Sequence, residues 1–85
     1  MAVGATLLVY GADWCSVTNG TRAHLAEIGV PYQYVNIEAD QAAAAWVRDQ
    51  NNGNEIKPTL RLDDLVMTAP SNDDLDQALR QHGLL

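Results

Sequence analysis

The chain has 85 residues and a single cysteine, Cys15. No disulfide can close within it, so a disulfide-stapled fold is excluded, and any thiol exchange needs a thiol from outside. One unpaired cysteine suits a reducing compartment, and a cytoplasmic location is expected. Cations are scarce: five Lys and Arg stand against eleven Asp and Glu, a net charge of −6. Nucleic acids and anionic membrane surfaces both need clustered positive charge, so neither is expected as a partner. No apolar run is long enough for a transmembrane helix. Met1 to Ala5 carry no basic n-region, so no secretory signal is expected. Asn19-Gly20-Thr21 therefore reads as a turn-prone stretch rather than a glycosylation acceptor. The two histidines, His24 and His82, are far apart and read as helix-surface residues, so no metal site is expected. With no phosphate-binding glycine loop, repeat, linker or low-complexity tract, the expectation is one small monomeric domain over residues 1–85.

What is present alternates regularly. Thr6 to Tyr10 is short, apolar and partly β-branched, as a buried strand is. A helix is expected from Ser16 to Ile28, with Val17, Ala23, Leu25, Ala26 and Ile28 on its core face and Gly29 closing it. Tyr32 to Ile37 alternates as a second strand, and Ala-rich Glu38 to Gln50 follows as a helix with Trp46 and Val47 near its buried side. Glu38 and Asp40 suit the dipole at its start. Asn51 to Asn54 is a loop. Pro58 to Leu62 and Leu65 to Met67 read as strands joined by a tight turn at Asp63-Asp64. Ser71 is a good N-cap for a last helix, with Asp74 in the capping-box position, an inner stripe of Leu75, Ala78, Leu79 and His82, and Gly83 at its end. The order is βαβαββα. The βαβ half implies a parallel pair and the trailing ββ a hairpin, hence a four-stranded mixed α/β sheet flanked by three helices.

Cys15 falls where the first strand hands over to the first helix. A cysteine there meets unpaired backbone N–H groups and the positive end of the helix dipole, and both favour the reactive thiolate. Thr18 lies one turn beyond on the same face, with a hydroxyl able to donate to the sulfur. The same position also suits plain surface filling. Asp13 would raise the Cys15 pKa if close. Arg22 lies two turns along that face, read chiefly as a solvated cation.

The order of elements, with a cysteine after the first strand and a proline opening the third, resembles the thioredoxin fold in its minimal glutaredoxin form. Tyr10-Gly11-Ala12-Asp13-Trp14-Cys15, Gly29-Val30-Pro31-Tyr32, Val35-Asn36-Ile37-Glu38, Ala42 to Val47, Asn52-Gly53-Asn54, Pro58-Thr59 and Thr68-Ala69-Pro70-Ser71 look like the mycoredoxin group. These are actinobacterial glutaredoxin-like oxidoreductases that use mycothiol. The family pattern is Cys-x-x-Cys, where this chain has Cys15-Ser16-Val17-Thr18. The usual Thr-Val-Pro is Ile56-Lys57-Pro58, and the basic residue often found three positions before the nucleophile is Ala12.

The resemblance implies a monothiol oxidoreductase acting through Cys15 with Thr18. Its substrates would be mixed disulfides of protein cysteines with a low-molecular-weight thiol, mycothiol or glutathione as co-substrate, and it would bind no resident cofactor. The resemblance further implies that Pro58 carries a cis peptide bond facing Cys15. The Lys57 backbone would pair with the bound thiol as an added strand, the Lys57 side chain would attract a carboxylate, and Trp14 would flank the nucleophile. Thr68 and Ser71 would hold anionic groups at the last helix's N-terminus. Ser71 as a plain cap, Trp14 as a partly buried residue of the fold, and Lys57-Pro58 as an ordinary strand entry are the structural alternatives. Two other functional classes remain open: a redox-silent binding module on this scaffold, and an iron–sulfur carrier, for which the Gly-Phe pair of Cys-Gly-Phe-Ser glutaredoxins is missing.

Overall fold

The computed structural model describes residues 6–85, so Met1 to Ala5, read above for a signal segment, lie outside the described residues. The elements run β1 (Leu7–Gly11), α1 (Ser16–Glu27), β2 (Gln33–Asn36), α2 (Gln41–Gln50), β3 (Thr59–Leu62), β4 (Leu65–Thr68) and α3 (Asn72–Gln81). The sheet order is β2-β1-β3-β4. β1 and β2 are parallel, while β1–β3 and β3–β4 are antiparallel. The expected βαβαββα mixed sheet is therefore the observed one.

Side chains on β1 alternate between two cores, as a strand's two-residue period requires. Leu7 and Val9 pack with Leu25, Val30, Leu60, Leu62, Leu75, Ala78 and Leu79, which places α1 and α3 on one face. Tyr10 packs with Ile37, Ala43, Ala44 and Val47, with Leu8, Val35 and Trp46 beside them, which places α2 on the other. Each fully buried leucine contributes about 1.5–3 kcal/mol of transfer free energy.

The phase of α1 differs from expectation. Its buried residues are Thr18, Thr21 and Leu25, spaced three and four apart, with Ile28 half-buried. Val17 is 54% exposed, and Ala23 and Ala26 also face outward. Leu25 sets the phase, and the positions one and two turns before it are threonines. The stretch Asn19-Gly20-Thr21 stays helical throughout. At the end of α1 the Val30 N–H donates to the Leu25 carbonyl and the Gly29 N–H to that of Ala26, with Gly29 at φ +74, which is the Schellman closure.

α2 starts at Gln41 rather than Glu38, because Asp40 is the N-cap and accepts from the Ala43 N–H at 3.0 Å. Glu38 stays in the preceding turn and is free to reach elsewhere. In α3, Ser71 accepts from the Asp74 N–H as expected. His82 is the exposed C-cap and not part of the inner stripe. His24 is not a plain surface residue: its side chain is only 14% exposed and its Nε2 lies 2.7 Å from the Asp76 carboxylate, joining α1 to α3.

The register brings four loops to one end of the sheet. Gly11 is opposite Asn36, Tyr10 opposite Thr59, and Thr59 opposite Thr68. Residues 12–15, 37–40, 51–58 and 69–71 therefore cluster beyond the carboxyl ends of β1, β2 and β4 and the start of β3.

Candidate active site around Cys15

Cys15 is the N-cap residue of α1, with extended backbone (φ −81, ψ 116) and its N–H bonded to the Ala12 carbonyl at 3.1 Å. Its thiol is held below the ordinary thiol range. The Thr18 hydroxyl is the foremost cause, followed by the Thr18 backbone N–H; the Val17 N–H and the Lys57 charge add to it, against a desolvation effect that raises it. Thr18 is not surface filling. It is completely buried, and its Oγ1 has no hydrogen-bond partner among the described residues. No formed hydrogen bond joins it to the Cys15 sulfur, although it favours the thiolate there. A thiolate is the acceptor this donor lacks, because a charged acceptor shortens and strengthens the bond. Thr18 is also pinned from behind: a Cβ on Gly11 would lie well under 3.0 Å from both its Cγ2 and its Oγ1. Glycine at the end of β1 is what lets the threonine lie against the strand.

Asp13, expected to oppose the thiolate, is engaged elsewhere. Its carboxylate accepts from the Tyr34 hydroxyl at 2.7 Å, and Asn19 Nδ2 donates to its backbone carbonyl. Burial and this carboxylate push Tyr34 up to about 12. Arg22 is not simply solvated: its guanidinium lies 3.9 Å from the Tyr34 ring centre, and its Nε donates to the Tyr32 hydroxyl at 3.3 Å.

Trp14 is 66% exposed beside the nucleophile, and its indole N–H donates to Glu38 at 2.6 Å. Lys57 approaches from the far side, with Nζ 5.4 Å from the Trp14 ring centre and donating to the Glu55 carbonyl at 3.2 Å. The Lys57–Pro58 peptide is cis, and Pro58 is buried. The Pro58 carbonyl accepts from the Ala69 N–H at 2.8 Å, with Ala69 at φ +43. No hydrogen bond among the described residues engages the Lys57 backbone N–H or carbonyl.

Thr68 and Ser71 are exposed at the same end of the sheet, but their hydroxyls have structural tasks. Ser71 caps α3, and Thr68 donates to Asn51 Oδ1 at 2.8 Å. Asn51 was legible in the sequence only as a loop residue. It is buried, and its Nδ2 donates to the Val47 carbonyl and to Thr59 Oγ1, so it ties α2 to both strands of the hairpin behind Pro58. Beside the Trp14–Glu38 contact opens a groove of about 530 Å³ lined by Ile37, Glu38, Gln41, Ala44, Arg48 and Glu55, in which Arg48 and Glu55 pair at 2.6 Å.

Comparison with known proteins points the same way as this geometry. No family model matches the chain. Mycoredoxin 1 of Corynebacterium glutamicum is 32% identical over 60 residues, 71% of this chain and 73% of its own length. A putative glutaredoxin of Mycobacterium tuberculosis is 32% identical over 78 residues, 91% of this chain and 93% of its own. The crystal structure of a glutaredoxin from Archaeoglobus fulgidus superposes with a TM-score of 0.73 at 19% identity, covering 89% of this chain and 87% of that one, which establishes the fold. On the two relatives' identity and coverage, the chain belongs to the glutaredoxin-like family of thiol–disulfide oxidoreductases, in the group that holds the mycoredoxins.

Proposed function

We propose that this protein is a monothiol oxidoreductase that clears a small thiol, mycothiol or one like it, from protein cysteines. The observation that carries the reading is the buried Thr18 hydroxyl, which has no formed hydrogen bond among the described residues and lies where it favours the Cys15 thiolate. A merely structural cysteine gives no reason to bury such a donor beside it.

The Cys15 thiolate attacks the small-thiol sulfur of the mixed disulfide. That S–S bond breaks, the protein cysteine departs as a thiolate and takes a proton from solvent, and a new disulfide joins Cys15 to the small thiol. A second small thiol, as its thiolate, then attacks the adduct. It releases the Cys15 thiolate and leaves as the symmetric small-thiol disulfide, so one disulfide is consumed and one formed, and the added thiol is oxidised as the protein cysteine is reduced. Thr18 cannot resolve the adduct, so the cycle stays monothiol. The resting thiolate is more populated than that of an ordinary cysteine, although a lower pKa also makes each thiolate a weaker nucleophile.

Within this reading the Lys57 peptide groups pair with the bound thiol as an added strand. Trp14 covers one side of the adduct, and the groove along α2 receives the remainder of the small thiol. No resident cofactor is required, and a reducing cytoplasm is the setting in which the cycle runs.

The direct test is steady-state turnover of a protein–mycothiol mixed disulfide with free mycothiol, run in parallel with the glutathione pair. Turnover by the native chain with at least one pair, abolished in Cys15→Ser, is the expected outcome. No turnover with either pair by folded, reduced protein would leave the binding-module reading in its place.

A further inference from the structure

Of the five Lys and Arg residues, Lys57 is the one whose charge acts on Cys15, and it forms no ion pair among the described residues. Arg48 is paired with Glu55. Arg22 is held over Tyr34, and Arg61 lies 5.8 Å from the Trp46 ring centre with its Nε on the Asp63 carbonyl. Arg80 is in the last turn of α3, at the end of that helix remote from its Ser71 cap. Lys57 stands beside Trp14, its charge acts on Cys15, and among the described residues its ammonium has only a backbone carbonyl as hydrogen-bond partner.

The Glu38 and Glu55 carboxylates of this cleft are hydrogen-bonded to other donors. Glu38 accepts from the Trp14 indole, and Glu55 turns its carboxylate onto Arg48. Lys57 therefore presents positive charge at the mouth of a site whose protein is otherwise acidic. A thiolate attacking a disulfide that carries a nearby carboxylate meets like-charge repulsion, and a cation within a few ångströms offsets it.

Resting on the thiol–disulfide reading above, we propose that Lys57 is a specificity-determining residue that selects disulfides carrying a carboxylate next to the attacked sulfur. The ammonium has donors left after its bond to the Glu55 carbonyl. Trp14 holds it at the cleft by a cation–π contact rather than by an ion pair, so an incoming carboxylate displaces no bound anion. The exposure of the site keeps the effect modest and makes it sensitive to salt.

Three symmetric small disulfides of one size and different charge test the proposal: dithiodipropionate, bis(2-hydroxyethyl) disulfide and cystamine. Each forms a disulfide with Cys15 and releases one thiol, so the rate is read as intact-mass adduct per unit time. The native protein should react with the anionic probe roughly threefold to fivefold faster than with the neutral one, and slowest with the cationic one, after correction for each probe's intrinsic reactivity with a free cysteine peptide. The spread should shrink in high salt. Lys57→Gln should flatten it and Lys57→Arg should keep it. Loss of the Lys57 charge also lowers the thiolate population, but that slows all three probes alike and leaves their ratios unchanged.

A second arm locates the carboxylate. Peptide cysteines with glutamate or glutamine alongside, each joined to 2-mercaptoethanol, are compared as substrates. A preference for glutamate assigns the charge to the protein side, and equality assigns it to the small-thiol side. Equal corrected rates for the three probes in the native protein, or an unchanged order in folded Lys57→Gln, would overturn the role of Lys57 while leaving the exchange chemistry standing. Failure of all three to modify Cys15 would instead overturn the exchange reading itself.

Discussion

A fully buried hydroxyl without a partner is destabilising, by about 1–3 kcal/mol in a protein interior. Thr18 carries that burden beside the one group that benefits from it. The consequence is a pH-dependent trade between stability and reactivity. Because Cys15 is depressed in the folded protein, its contribution to stability is complete above the ordinary thiol value, about 8.5, and is lost as pH falls through the lowered folded value. Thr18→Val keeps the shape against Gly11 and removes the donor. Below the lowered folded value, where the sulfur is neutral, the variant should be more stable than the native chain by about 1 kcal/mol in urea unfolding. The advantage should shrink by pH 9, and the midpoint of Cys15 alkylation by iodoacetamide should move to higher pH. Gly11→Ala is the complementary test. Its Cβ would run into the Thr18 side chain, and the variant should lose about 2–3 kcal/mol, as overpacked cores do. Cys15 itself was readable from the chain, because an apolar strand followed by a helix-starting polar stretch leaves one place for it. The burial of Thr18 was not: hydropathy favours Val17 for the core, and only the helix phase set by Leu25 turns Val17 outward.

Secondary elements show the same division between local and long-range information. Helix ends are encoded within a few residues, so Gly29, Ser71 and Gly83 could be assigned their capping places from sequence. Gly20 is the residue that reads worst within α1, yet the helix runs through it because Thr21 and Leu25 anchor the turns that follow. A Cβ on Gly20 would meet nothing within 4 Å. Gly20→Ala should therefore raise stability by about 0.5–1 kcal/mol in thermal or urea unfolding, with thiol exchange unchanged. Asn51 is the converse. Its partners are 4, 8 and 17 residues away, and no local pattern marks an asparagine in a loop as buried. Asn51→Ala should cost about 2–3 kcal/mol, because it leaves Thr59, Thr68 and the Val47 carbonyl short of a partner. It should also weaken thiol binding more than the exchange step, since the Pro58 segment is what it braces.

At the scale of the molecule, one end of a four-stranded sheet gathers loops that are far apart in sequence. The element order was legible because strands and helices differ in hydrophobic period, and the topology followed from it. Which loop residues point at Cys15 was not legible from period or composition: Glu38 looked like the start of a helix until Asp40 proved to be its cap, and its carboxylate is what holds Trp14 at the cleft. Resemblance to glutaredoxins supplied the places of Trp14, Lys57 and Pro58, and the structure adds that Lys57 stands over Trp14 with no ion-pair partner among the described residues. The central claim is that a single thiol at Cys15 accepts a small thiol and gives it up again. Intact-mass spectrometry of reduced protein mixed with mycothiol disulfide, and separately with glutathione disulfide, tests it most directly. The account predicts one adduct per chain with at least one of them, absent in Cys15→Ser and removed on adding the matching free thiol. Folded, reduced protein that stays unmodified in both, or an adduct that the free thiol does not clear, would contradict it.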